Sequence, residues 1–128
     1  MSKFVLDASA IMAILNQEAG AEKLTPELLG EACVSAVNMA EVQTILVNKG
    51  IAADDAWRDA CGPVLEIAAY DDRQARLAGS LVNKTRSLGL SLGDRACLAL
   101  ASHLRAPVYT ADRAWKKLNI GIEVRSIR

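Results

Sequence analysis

The sequence is poor in the groups that many mechanisms need. Of its 128 residues one is a histidine, His103, which excludes chemistry built on two imidazoles, such as paired-histidine RNA cleavage or a His-rich zinc site. Aromatic residues make up 4%, too few for a single-strand binder built on stacking platforms. The three cysteines, Cys33, Cys61 and Cys97, are far apart and form no C-x-x-C. An odd count without metal spacing reads as reduced, mostly buried thiols of a cytosolic protein. Long apolar runs are missing too. The longest, residues 4–15, is interrupted by Asp7 and falls short of the roughly 18 residues of a membrane span. An acid within it also argues against a signal peptide, and Ala8-Ser9-Ala10 comes too early for a cleavage site. The expected compartment is the cytoplasm.

What remains is an ordinary globular composition, 52% hydrophobic and 23% charged, on a chain of single-domain length. No repeat, low-complexity tract or linker divides it, so residues 1–128 are read as one domain. The net charge of zero hides an asymmetry. Residues 1–72 hold 4 Lys+Arg against 12 Asp+Glu, whereas residues 73–128 hold 11 against 3. Such segregation suits a polyanion partner, and equally a set of solvated helix faces.

Hydrophobic patterning gives alternating strands and helices. Residues 3–7 are a short apolar run closed by an acid, as in a strand buried on both faces. Further strands are predicted over 33–37, 64–70 and 108–110, with an edge strand over 122–127. Helices are predicted over 9–17, around 26–29 with Pro26 at the first position, over 38–48 capped by Asn38, and over 53–61. A long helix capped by Asp71 is predicted to run to about Ser87, another spans 92–105, and a short one spans 113–118. Strands alternating with helices imply right-handed crossovers and a parallel sheet covered on both faces. Ligands of such sheets bind beyond the carboxyl ends of the strands, at a switch point.

Four acids sit where that rule points. Asp7 closes the first strand, Asp112 follows the fourth, and Glu41 and Asp94 lie near the starts of helices. Each has a plainer reading, because acids at helix N-termini cap free N–H groups and complement the macrodipole. Asn38-x-x-Glu41 resembles a capping box. Asp94 fits that reading less well, since it heads the apolar stripe of Cys97, Leu98 and Ala101. For Asp7 no ordinary cap is expected at all. Were these carboxylates to converge without histidine or thiolate, hard Mg²⁺ or Mn²⁺ would be their natural partner.

The stretches Phe4-Val5-Leu6-Asp7-Ala8-Ser9-Ala10, Asn38-Met39-Ala40-Glu41-Val42, Leu92-Gly93-Asp94-Arg95-Ala96-Cys97-Leu98-Ala99-Leu100-Ala101 and Val108-Tyr109-Thr110-Ala111-Asp112 resemble the acidic motifs of PIN-domain nucleases. The resemblance is closest to the VapC-type ribonuclease toxins of toxin–antitoxin systems, and it runs from Phe4 to the terminal strand. It implies a three-layer α/β/α sandwich with a central, mainly parallel sheet, and Mg²⁺- or Mn²⁺-dependent endoribonuclease activity. By position, Asp7, Glu41 and Asp94 take the family's three main metal-binding acids and Asp112 the more variable fourth. Ser9 and Thr110 match hydroxyls that help order such a site. The resemblance also implies a homodimer, an RNA substrate, and a cognate antitoxin whose segment occupies the active-site groove. Hydrolysis would proceed by in-line attack of metal-activated water, leaving a 5′-phosphate and a 3′-hydroxyl. Arg95, Arg113 and Lys116 are candidates for holding the RNA backbone, with solvated helix faces as the alternative.

Two other classes stay open at the level of sequence. One is a non-catalytic module binding RNA or protein on the same fold. The other is an aspartate-based phosphatase or receiver-like domain. The latter usually places a second acid two residues after the first, where this chain has Ser9.

Overall fold

The computed structural model describes residues 4–128; Lys3, the predicted head of the first strand, lies outside them. Among the described residues five strands form one sheet: β1 (Phe4–Leu6), β2 (Ala32–Ser35), β3 (Ile67–Ala68), β4 (Val108–Thr110) and β5 (Val124–Ser126). Their order is β3-β2-β1-β4-β5 and every neighbouring pair is parallel. Val5 is in register with Cys33 on one side and with Val108 on the other.

Period-two alternation divides these strands between two cores. Leu6, Ala32 and Val34 face a layer made by α1 (Ala8–Leu15), α3 (Ala36–Asn48) and α4 (Ala53–Cys61), through Ile11, Met39, Val42 and Ala60. Val5, Cys33 and Val108 face α7 (Leu92–Leu104), through Cys97, Leu98 and Leu100, together with Trp115. Helix α5 (Asp72–Ser80) packs against α7 and adds Leu77. Two short helices, α2 (Pro26–Leu29) and α6 (Val82–Thr85), complete the set. The result is the expected three-layer α/β/α sandwich. Both faces of the sheet are covered, which is why its central strand β1 (Phe4–Leu6) is apolar throughout.

The topology positions the site. From β1 the chain goes on to β2 and β3 on one side of the sheet, whereas β4 and β5 lie on the other. Helix α1 leaves β1 toward one face, and the 3₁₀ turn Arg113–Lys117 leaves β4 toward the face that buries Trp115. The carboxyl ends of β1 and β4 therefore flank the switch point, where crevices form in open α/β sheets.

Several local expectations are corrected. The third helix begins at Ala36 with Ser35 as its cap, not at Asn38, because Ser35 both pairs with Ala68 in the sheet and accepts from Val37 N–H at 3.2 Å. The strand expected over 64–70 is reduced to Ile67–Ala68 at the sheet edge, where only β2 offers it partners. Asp71 does cap α5, accepting from Gln74 N–H at 2.8 Å, but the long helix breaks after Ser80. Gly79 weakens that turn, and the Ser80 hydroxyl donates back to the Leu77 carbonyl at 2.7 Å. The short helix over 113–118 is a 3₁₀ turn, Arg113–Lys117.

Candidate active site

Asp7 is the anchor of the switch point. It is 3% exposed. Its Oδ1 accepts from Ala10 N–H at 2.9 Å, which makes it the N-cap of α1 after all. Its Oδ2 accepts from Thr110 Oγ1 at 2.7 Å, and Ser9 Oγ donates from 2.8 Å. Ser9 Oγ also accepts from Ala111 N–H, and Thr110 Oγ1 accepts from Asp112 N–H, both at 3.0 Å. The two hydroxyls thus sew the end of β1 to the end of β4. Burial pushes the Asp7 carboxyl up to about 6; the bonds from Thr110, Ala10 and Ser9 oppose that rise, and the charge of Asp94 adds to it.

Asp94 stands in the first turn of α7. It forms a capping box with Ser91: its Oδ2 accepts from Ser91 N–H at 2.9 Å, and its own N–H donates to Ser91 Oγ at 3.2 Å. Capping and a place at the switch point are therefore compatible. Glu41 is different. With α3 starting at Ala36, Glu41 lies in the second turn and caps nothing, so the Asn38-x-x-Glu41 box does not form. Its half-buried carboxyl is raised by burial and by Asp94, against a hydrogen bond from Asn38. Buried Cys97, one turn along α7 from Asp94, has its thiol pushed up by burial and then by the charges of Asp7, Asp94 and Glu41.

Gly93 makes the approach of α3 to α7 possible. A Cβ built there would meet Glu41 Oε2 at 2.2 Å. Gly93→Ala is accordingly expected to keep the fold, since Ala gains about 1 kcal/mol of helix propensity over Gly and only the end of a flexible side chain must move. The same change displaces the Glu41 carboxylate, so any RNA cleavage that depends on that carboxylate should fall at least about tenfold. Melting and cleavage measured on one preparation check both halves of this expectation. An unimpaired Gly93→Ala variant would show that the position of Glu41 does not matter.

Asp7, Ser9, Asp94 and Asp112 line one open cleft of about 840 Å³, with Met12, Ile45 and Trp115 as apolar walls. Asp112 is exposed and caps the 3₁₀ turn, accepting from Ala114 N–H at 2.9 Å. Arg113 reaches the cleft. Arg95 does not line it: its Nη1 donates to the Ala78 carbonyl of α5 at 3.0 Å and its Nε is buried. Lys116 is exposed on the 3₁₀ turn and is not among the cleft residues. Arg128, ion-paired with Glu18 at the cleft, was not foreseen from sequence, nor were Met12 and Ile45. Only the fold brings those positions together. Asn38 carried a signal, a polar residue amid apolar neighbours, but read as a cap.

The PIN domain family matches residues 4–121 of the sequence. The chain belongs to the PIN domain family. Solved structures agree at the level of the fold. DNA-bound VapBC from Salmonella typhimurium is 21% identical, with the whole of both chains covered and a TM-score of 0.76. A toxin–antitoxin complex from Klebsiella pneumoniae is 16% identical over 98% of each chain, with a TM-score of 0.75. VapC20 from Mycobacterium tuberculosis, described as a sarcin–ricin-loop-cleaving toxin, is 16% identical over 94% of this chain and 99% of its own, with a TM-score of 0.72. No curated protein matches the sequence.

In this PIN domain the donor set fits a hard divalent cation in kind. It consists of carboxylates and hydroxyls, and neither imidazole nor thiolate lines the cleft among the described residues. It is not drawn into a closed shell: among the described residues no three acidic, histidine or cysteine side chains are grouped to hold an ion. The reason is local. Each like-charged carboxylate turns to a neutral donor, Asp7 to Thr110 and Ala10, Asp94 to Ser91, Glu41 to Asn38 and Asp112 to Ala114. A cation must compete with those hydrogen bonds.

Proposed function

We propose that this PIN domain is a Mg²⁺- or Mn²⁺-dependent endoribonuclease and the toxin of a type II toxin–antitoxin module. The observation that carries the reading is Asp7, a carboxylate 3% exposed, standing with Asp94 and Asp112 on a cleft at the switch point of the sheet. Burying a carboxylate is costly unless a charge offsets it, and among the described residues no cationic side chain bonds to Asp7. Glu41, against Gly93, completes the acidic set from α3.

Asp7, Glu41 and Asp94 hold the ion in this reading, and Asp112 contributes from the rim. When bound there, a divalent cation lowers the pKa of water beside it and offsets charge developing on the phosphate. Ser9 and Thr110 keep Asp7 ionised by donating to it and fix its orientation. Arg113 and Arg128, both on the cleft, position the RNA backbone, and Lys116 extends that surface along the 3₁₀ turn. Arg95 braces α5 and has no part in this role. Among the structures that share the fold are VapBC and toxin–antitoxin complexes, which supports a cognate antitoxin; in this reading its segment lies in the cleft and the toxin is a homodimer. Among the described residues no helix is long and apolar enough to cross a membrane, in keeping with action on cytoplasmic RNA.

The reading is tested by mapping new RNA 5′ ends after purified protein is added to total cellular RNA with Mg²⁺. Discrete cuts bearing 5′-phosphates are expected, absent with Asp7→Asn. Cuts that persist with Asp7→Asn, or none at all with Mg²⁺ or Mn²⁺, would sink it.

A further inference from the structure

Asn38 lies on α3 and is fully buried, with 0% exposure. Its Nδ2 donates to Glu41 Oε1 at 2.7 Å and to the Gly93 carbonyl at 3.0 Å. The first bond holds a carboxylate; the second ties α3 to the turn that carries Asp94. Its Oδ1 is buried and, among the described residues, accepts from no protein donor. An unsatisfied buried amide oxygen carries a desolvation penalty that an apolar residue of similar shape would avoid. Packing therefore does not explain an asparagine here. What it supplies that leucine cannot is the NH₂ group with its two acceptors.

Those two acceptors have a common consequence. Gly93 immediately precedes Asp94 in the first turn of α7, and a Cβ there would run into the Glu41 carboxylate, so Glu41 reaches across to that turn. The amide of Asn38 holds it in place over Gly93, the position that a Cβ would fill. We propose that Asn38 is the positioning residue of the acidic site, fixing the Glu41 carboxylate against α7 so that a divalent cation meets Glu41 and Asp94 together. The inference rests on the metal-dependent reading of the site. It adds that one buried amide sets the geometry of that site from behind.

A positioning role acts through Glu41, whereas a purely structural role does not, and a double-mutant cycle separates the two. Mn²⁺ binding to the full chain, read by the relaxation of water protons, is compared for the parent, Asn38→Leu, Glu41→Gln and the double variant. Asn38→Ala serves where leucine does not fold, and a melting curve accompanies each protein. Loss of a group that orients a metal ligand typically costs 10–100-fold in affinity, so Asn38→Leu should weaken Mn²⁺ binding by about that factor. In the Glu41→Gln background the same change should have almost no effect, about twofold at most. Parent-like binding by Asn38→Leu, or an equal weakening in both backgrounds, would overturn the positioning role while leaving the metal site intact. Parent-like binding by Glu41→Gln, or no Mn²⁺ binding by the parent, would remove the site and the proposal together.

Discussion

Asp7→Asn is expected to lower RNA cleavage by about three orders of magnitude, ~4 kcal/mol of transition-state stabilisation, and yet to stabilise the metal-free fold at neutral pH. Both effects have one cause. Asp7 is buried, and its carboxyl is raised from 3.8 to about 6, chiefly by burial. The folded chain therefore keeps a proton that the unfolded chain releases as pH rises from 3.8 toward 6. The favourable contribution of the acid is complete below the lower value and gone above the higher one. Across that window the loss is about 3 kcal/mol. Asparagine has no such slope. Its NH₂ must face one of the hydroxyls that now donate to Asp7, which takes back part of the gain, so a net stabilisation of about 1–2 kcal/mol is expected above pH 7. Melting curves from pH 4 to 8, taken in EDTA beside a cleavage assay, test both effects. A variant retaining a tenth of parental activity contradicts the assignment of Asp7.

Glu41→Gln and Asp94→Asn should each lower cleavage by about 100- to 1,000-fold at little cost in stability. Asparagine at position 94 can still accept from Ser91 N–H, and glutamine at position 41 can still accept from Asn38. The capping box of Asp94 and the Asn38 bond to position 41 are therefore largely retained, and any loss should stay within about 1 kcal/mol. Removing one charge also relieves repulsion among carboxylates that all act on Cys97. Rate constants and melting temperatures from the same preparations decide between the roles. If the acids only cap helices, activity survives; if they are ligands, activity collapses while the fold persists.

The distinction matters because the structure satisfies both readings of most of these acids. Asp7, Asp94 and Asp112 are caps in good geometry, and they also share a cleft. A carboxylate has about four acceptor sites, so one capping bond leaves others free. The apolar run closed by Asp7 was legible because a strand buried on both faces has no polar positions to confuse it. The parallel order followed from alternation of strands and helices. The start of α3 was not legible: Ser35 and Asn38 are both good caps, and only pairing of Ser35 with Ala68 places the first turn. That three-residue difference is what turns Asn38 inward and moves Glu41 off the capping position. Arg95 misled for a simpler reason. Consecutive helical residues point about 100° apart, so a neighbour of Asp94 in sequence faces α5, not the cleft. Arg128 and Ile45 reach the cleft only through the closed fold, and no local pattern marks them.

In the proposed function, four carboxylates at the end of a parallel sheet work as a divalent-metal site that cuts RNA. Its most direct test uses one preparation of the purified chain and one RNA. The protein is stripped with EDTA, assayed, refilled with Mg²⁺ or Mn²⁺ and assayed again, with Asp7→Asn carried through the same steps. The expected result is no cleavage by the stripped protein, recovery on adding either ion, and no recovery by Asp7→Asn. Cleavage by the stripped parent at a rate within about tenfold of the refilled one would contradict it, because no other group in the cleft replaces the roughly 4 kcal/mol assigned to the ion.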